Sequence, residues 1–321
     1  MKKISVIITA ILLFSNCGLE LTKVDVDLEK DFIPQVAITT FLTPDSVVNL
    51  KLVMTSAAFS VKKTNPTFKS ATIESLSDNQ TYILSQSIQK SYIQLHSEEL
   101  KPIAGGIYKM RIETQNPIAV LESVDTIPIK TPILTAEILA VEKSSNQLGR
   151  ITFKPNKNIN RTNYYEIVIF ERLTTNKTTV NKFQQISITS NDQIITREDY
   201  YPSLLLIGAY EPHSLLFRLA SPTEVVSIGF IYRAASAFGN AEGRYTFDHE
   251  TKIELRPVSY AYFRYKTSFY KQINAANGDL LYGMAAPVTV TSNIKGGLGI
   301  FAGYCKSDTT ISVAGRTGLK E

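Results

Sequence analysis

From Ile33 onward, apolar and polar residues alternate with a period of two. In Ser46 to Met54, Val48, Leu50, Leu52 and Met54 fall on one face and Val47, Asn49, Lys51 and Val53 on the other. Successive strand side chains point to opposite faces, so this spacing predicts a strand with one buried side. Ile107 to Glu113 repeats it, with Tyr108, Met110 and Ile112 set against Lys109, Arg111 and Glu113, just after the turn signal Gly105-Gly106. Short β-branched and aromatic runs recur at Val36–Leu42, Ala71–Leu76, Tyr82–Leu84, Tyr92–Leu95 and Leu121–Ile129. Roughly seven strands in about a hundred residues, broken by Pro, Gly and Asn, predict an immunoglobulin-like β-sandwich over residues 33–134.

Thr131-Pro132 marks the boundary, and strands continue beyond it at Leu134–Val141, Gly149–Phe153, Tyr164–Leu173, Phe183–Thr189, Ser214–Ala220, Val225–Ala234 and Thr251–Arg256. Asn176-Lys177 is the expected tip of a hairpin. In Thr251 to Arg256, Ile253 and Leu255 point inward between Lys252, Glu254 and Arg256. One segment departs from the strand period. Val258, Tyr262, Tyr265, Phe269 and Ile273 are spaced four, three, four and four apart, one stripe on a helix over Val258 to Ala276. That stripe is expected to pack against the second sheet. The fold class is therefore mostly β: an N-terminal immunoglobulin-like sandwich, then a second β-rich domain over 135–321 with one amphipathic helix near the C-terminus.

The first residues obey a different logic. Lys2 and Lys3 precede the apolar run Ile4 to Phe14, which is too short to span a bilayer and suits an export signal. Cys17 comes directly after, where a lipoprotein peptidase would cut and a diacylglycerol would join the thiol. Residues 1–16 are expected to be a lipoprotein signal peptide, Cys17 the lipid attachment site, and 17–32 a polar tether. Removing 16 of 321 residues leaves 305 (321 − 16), ample for two cores. The formal charge of +5 loses Lys2 and Lys3, leaving +3 (5 − 2), with no basic cluster to suggest a nucleic-acid partner. Once Cys17 is acylated, Cys305 has no disulfide partner and reads as a small buried hydrophobe.

Three blocks point to a family: Ile33-Pro34-Gln35-Val36-Ala37-Ile38 with the run to Met54, Gly106-Ile107-Tyr108-Lys109-Met110, and Asn163-Tyr164-Tyr165. With Ser292-Asn293-Ile294-Lys295-Gly296-Gly297-Leu298-Gly299-Ile300-Phe301-Ala302-Gly303-Tyr304 and the aromatic helix ahead of it, the chain resembles the Bacteroidota lipoproteins catalogued as domain of unknown function 4249. The resemblance implies an outer-membrane lipoprotein, often encoded beside a TonB-dependent transporter, and supplies no catalytic residues. Glu20 is the only acid close behind Cys17, which leaves the periplasmic and cell-surface faces both open.

Candidate chemistry is sparse. Gly297-Leu298-Gly299-Ile300-Phe301-Ala302 satisfies G-x-G-x-x-A, but a dinucleotide site needs a helix after it and an acid about twenty residues on. The next residues, Gly303-Tyr304-Cys305, are poor helix material, so a glycine turn or bulge against close-packed backbone is expected. His96, His213 and His249 lack a second His or Cys at ligand spacing, and Asp248-His249-Glu250 reads as a solvated loop. No G-x-S-x-G supports a hydrolase triad, and the absence of Trp disfavours sugar platforms. Asp45-Ser46-Val47, Asp125-Thr126-Ile127 and Asp308-Thr309-Thr310 resemble acceptor sites for O-linked glycans. The expectation is a non-enzymatic, lipid-anchored envelope protein without metal or cofactor, an accessory to a TonB-dependent transporter. The alternatives are an envelope hydrolase acting on glycan or peptide, and a structural or adhesive surface protein.

Overall fold

The structure, a computed structural model, describes residues 32–44, 46–56, 65–89, 92–140, 145–156, 162–174, 182–195, 214–220, 225–238, 244–282 and 288–316, with backbone alone at 140, 237, 238, 244 and 274–282. The chain divides into two compact units, residues 1–34 with 56–62, and 35–55 with 63–321. Of the first, only 32–34 and 56 are described. The second holds every strand and the helix described here, and the chain is mostly β.

Two sheets enclose the first core. One contains β1 (Val36–Leu42), β2 (Val48–Met54), β5 (Ser85–Ile88) and β6 (Ile93–Ser97); the other runs β4 (Gln80–Ile83), β3 (Thr67–Ser75), β7 (Ile107–Asn116), β8 (Ile118–Thr126). The alternation holds: Val48, Leu50 and Leu52 face Tyr108, Met110 and Ile112 in one apolar cluster. The second core lies between two further sheets. One is formed by β9 (Ile133–Ala140), β10 (Asn146–Phe153), β13 (Ile188–Thr189) and β15 (Val226–Arg233). The other contains β11 (Asn163–Leu173), β12 (Gln184–Ile186), β14 (Ser214–Leu219) and β18 (His249–Val258). Phe153, Tyr165, Phe217 and Phe230 fill its centre. A short hairpin, β16 (Ser236–Phe238) and β17 (Arg244–Thr246), stands apart.

The last residues join both sandwiches. β19 (Leu298–Gly303) pairs in parallel with β1 at the edge of the first, Ala37 opposite Leu298 through Leu42 opposite Gly303. β20 (Ser307–Val313) pairs antiparallel with β18 in the second. The first core therefore includes Ile294, Phe301 and Cys305 beside residues 36–127, so residues 33–134 do not complete that sandwich alone. The glycine turn expected against close-packed backbone is present at Gly296-Gly297, and it leads directly into β19 from Leu298. Gly296 and Gly299 have φ of +80° and +109°, and a Cβ on Gly299 would lie 1.8 Å from the Ile38 carbonyl oxygen. Only glycine combines that left-handed backbone with so close an approach.

The helix, α1 (Tyr260–Tyr282), starts two residues after the expected position and runs six further. Its aromatic stripe does not pack on the second sandwich alone. Tyr262 and Tyr265 meet Phe41 of β1 at ring distances of 5.0 and 6.1 Å, while Phe263 meets Tyr164 of β11 at 4.9 Å. One apolar cluster thus draws on both sandwiches: Leu216, Val258, Ile300 and Ala302 lie with Tyr262, Phe263 and Tyr270. No described helix is long and apolar enough to cross a membrane.

Candidate functional site

The N-terminus of α1 lies where the two sandwiches meet. Pro257 precedes Ser259, and Ser259 caps the helix: its Oγ accepts from Tyr262 N (3.2 Å) and its carbonyl accepts from Phe263 N (3.0 Å). The same hydroxyl donates to Asp125 Oδ2 at the end of β8, and that oxygen also accepts from Gly303 N at 2.8 Å. Ser259 N donates to Gly303 O, Tyr304 N to Leu42 O, and Cys305 N to Pro257 O. The carboxylate and the cap thus join β8, β19 and α1, and the backbone bonds of Tyr304 and Cys305 add β1 and β18. Burial pushes the Asp125 carboxyl above its ordinary range, against the hydrogen bonds from Ser259 and Gly303.

Beneath the helix lies a buried ionic cluster. Glu166 Oε2 on β11 accepts from Tyr262 Oη at 2.7 Å and Arg256 Nη1 at 3.2 Å, and Oε1 lies 3.8 Å from Lys266 Nζ. Arg256 also pairs with Glu254, which takes Lys252 at 2.9 Å. Burial alone would raise the Glu166 carboxyl; Lys266 and Arg256 outweigh it and hold the group below its ordinary range. Glu254 is lowered likewise, burial being outweighed by Arg256 and Lys252. Tyr262 is raised well above its ordinary value by burial and by the Glu166 charge.

A cleft of about 680 Å³ opens beside the Asp125–Ser259 contact. Its described walls include Pro128 and Ile129, Asn156, Asn163, Tyr164 and Tyr260. Asn156 Nδ2 holds the β8–β9 connection through Ile129 O (2.9 Å) and Thr131 Oγ1 (3.1 Å), and Asn163 Nδ2 donates to Asn156 O. Tyr260, 55% exposed, leans on Tyr164 with ring centres 5.3 Å apart. Asp125 is the only carboxylate among the described lining residues, and it is already bonded to Ser259 and Gly303. These walls present amides, hydroxyls and ring faces, which suit binding.

A third polar group lies inside the second core. His249 Nε2 is 3.1 Å from Tyr232 Oη and 3.7 Å from Glu171 Oε1; Nδ1–H donates to Phe247 O at 2.9 Å. Tyr232 Oη also meets Thr251 Oγ1, and Ala235 N donates to Glu171. Burial raises both Glu171 and Tyr232. The loop expected at Asp248-His249-Glu250 is thus corrected: His249 is a buried core residue opening β18, and Glu250 pairs with Arg172. Asp248 stays exposed and accepts from Gly315 N.

Other sequence candidates scatter. Cys17, His213, Asp45 and the Asn176-Lys177 tip lie outside the described residues. His96 is on β6, and Cys305 is buried in the first core. Thr126, Asp308 and Thr310 are exposed. Among the described residues no three His, Cys, Asp or Glu gather as a metal site. Sequence reasoning missed the clusters at Glu166 and Asp125. Two signals pointed to them: Glu166 is an acid inside the apolar run Tyr164 to Ile169, and Ser259 stands two residues after a proline, just ahead of a helical stripe.

A family model described as "Domain of unknown function (DUF4249)" matches residues 22–310. The chain belongs to the DUF4249 family. No curated protein matches it. Among solved structures, this DUF4249 member is similar to a DUF4785 family protein from Legionella pneumophila subsp. pneumophila str. Philadelphia 1, at 9% identity and a TM-score of 0.26. The match covers 72% of this chain and 54% of that one.

Proposed function

We propose that this DUF4249 member is a lipid-anchored protein of the bacterial outer membrane that binds rather than reacts. In this reading it serves a TonB-dependent transporter as a substrate-binding or stabilising accessory. The observation that carries the anchor is the order Lys2-Lys3, Ile4 to Phe14, Cys17. Binding is favoured because the cleft's one described carboxylate is a strut between β8, β19 and the helix cap, and its neighbours offer hydrogen bonds and ring faces. The transporter partnership rests on the family resemblance.

The test has two arms. Cys17→Ser should abolish incorporation of labelled fatty acid and release the folded body from membranes; continued sedimentation of processed protein at high salt would remove the lipid as sole anchor. Pull-down of the wild-type chain from detergent-solubilised envelope should recover a TonB-dependent transporter. Recovery of none, or hydrolysis of envelope glycan or peptide that Asp125→Asn abolishes, would overturn the accessory role.

A further inference from the structure

The cleft beside the joint offers a ligand no free charge and little free backbone. Among its described lining residues there is no Lys, Arg or His, and Asp125, the one carboxylate, is already taken by Ser259 and Gly303. Arg264, outside the lining, donates to Tyr260 Oη at 3.3 Å. The backbone of the walls is paired within the protein. Gly105 N donates to Ile127 O, Ile127 N to Gly106 O and Ser259 N to Gly303 O. Tyr164 stands between two ladder partners, Arg218 of β14 and Val258 of β18. A peptide that binds by strand addition needs an unpaired edge, and none of these groups supplies one.

What the walls leave open is hydroxyls, amide oxygens and ring faces. Among the described residues, the hydroxyls of Thr126, Thr162 and Tyr164 have no hydrogen-bond partner. Asn156 and Asn163 use Nδ2 to hold the wall, and no described residue engages their Oδ1. Tyr260 touches Arg264 and the Tyr164 ring yet stays more than half exposed. Both rings are set in advance, Tyr164 by the β11 ladder and Tyr260 by the first turn of α1 behind the Ser259 cap. Groups already ordered lose little freedom when a ligand arrives. The volume of about 680 Å³ also falls within the range of about 300–1,000 Å³ usual for small-ligand sites.

We infer that this cleft takes a short neutral saccharide, with Tyr260 as the ring that its sugar stacks on. The inference rests on the proposed reading of the cleft as a binding site. A sugar ring has the two surfaces this lining can serve. Its C–H face is apolar and weakly positive and lies against the negative face of an aromatic ring, while its hydroxyls donate to amide oxygens and exchange bonds with Thr and Tyr hydroxyls. A uronic acid or phosphate ester would bring a charge with no partner in the lining, and burying such a charge is costly. Tyrosine thus supplies the platform that a chain without tryptophan otherwise lacks.

The test applies the wild-type chain, in a non-glycosidic detergent, to an array of neutral and uronic-acid oligosaccharides, followed by titration calorimetry of the glycans that bind. At least one neutral glycan should bind saturably. Tyr260→Ala should weaken it by about tenfold, and Tyr260→Phe, which keeps the ring, by no more than about threefold. In the wild-type protein the same glycan should protect Tyr260 from nitration by tetranitromethane, a readout that needs no variant. Binding of no neutral glycan, preference for the uronic acids, or a neutral glycan that neither protects Tyr260 nor responds to Tyr260→Ala would each overturn the saccharide site and leave the transporter partnership untouched. Tyr260-dependent glycan binding without recovery of a transporter would overturn that partnership and leave the site standing.

Discussion

The two sandwiches bury charge in opposite ways. Among the described residues, the buried acids and histidine are Glu166, Glu171, His249 and Glu254, and all four sit on β11 or β18 of the second sandwich. In the first, Lys109, Arg111 and Glu113 alternate with Tyr108, Met110 and Ile112 and stay on the outer face, where Arg111 bridges Glu113 and Glu122. The difference comes from what covers each sheet. The outer face of β7 and β8 meets solvent. β11 and β18 have the sandwich core on one face and α1 with its aromatic cluster on the other, so outward positions such as Glu166, Glu254 and Arg256 lose water and must pair. The same alternating pattern thus yields a solvated face in one half and a buried ion network in the other.

This contrast can be broken from either side. The largest effect should come from ending the chain at residue 287, which removes β19 along with Ile294, Phe301 and Cys305 from the first core. The first sandwich should then lose its cooperative unfolding transition; a truncated chain whose first half still melts cooperatively would show that sandwich to be self-sufficient. Next is Glu166→Leu, which removes the buried acid that the half-buried Arg256 and Lys266 share and leaves Arg256 only Glu254. It should cost about 3–5 kcal/mol in urea titrations, and a loss below about 1 kcal/mol would mean the network adds little. Gly299→Val, forced into a left-handed φ against Ile38, should cost at least about 1–3 kcal/mol. Gly297→Val, crowded by Leu121 and Val36 O, should cost a similar about 1–3 kcal/mol by overpacking. Unchanged melting of both, with lost partner binding, would make the block a functional loop.

Smaller effects sharpen the comparison at the joint. Ser259→Ala removes the cap and a donor to Asp125 and should cost about 0.5–2 kcal/mol. Dependence on pH should have opposite signs in the two places. Glu166 and Glu254 are held below the ordinary carboxylate range, so their contribution is present above it and disappears as pH falls through their folded values. Asp125 is raised, so its contribution is full below the ordinary range and fades as pH rises through its folded value. Asp125→Asn keeps an acceptor for Gly303 N and should alter stability at neutral pH by less than about 1 kcal/mol, while removing the loss on the rising side. A larger penalty would show that the joint needs the charge.

Much of this was legible in the residues. Val36–Leu42 was bounded to the residue, and the inward sets Val48, Leu50, Leu52 and Tyr108, Met110, Ile112 came from period two alone, because one-sided burial imprints alternation on any strand. The helical stripe at Tyr262, Tyr265 and Phe269 was equally plain, since periodicity is local. β19 was not, because three glycines within residues 296–299 read as a turn against close-packed backbone, which is there, while the strand that leaves it at Leu298 depends on pairing with β1, far away in the chain. His249 was misplaced for a related reason: a polar triplet carries no local mark of the Tyr232 and Glu171 waiting across the core. Local order and apolar faces were written along the chain. Which sheet the last strand would join, which acids would lose their water and where a cleft would open depended on contacts between residues such as Asp125 and Gly303, 178 positions apart. No local pattern encodes a partner that distant; the folded backbone brings it into place.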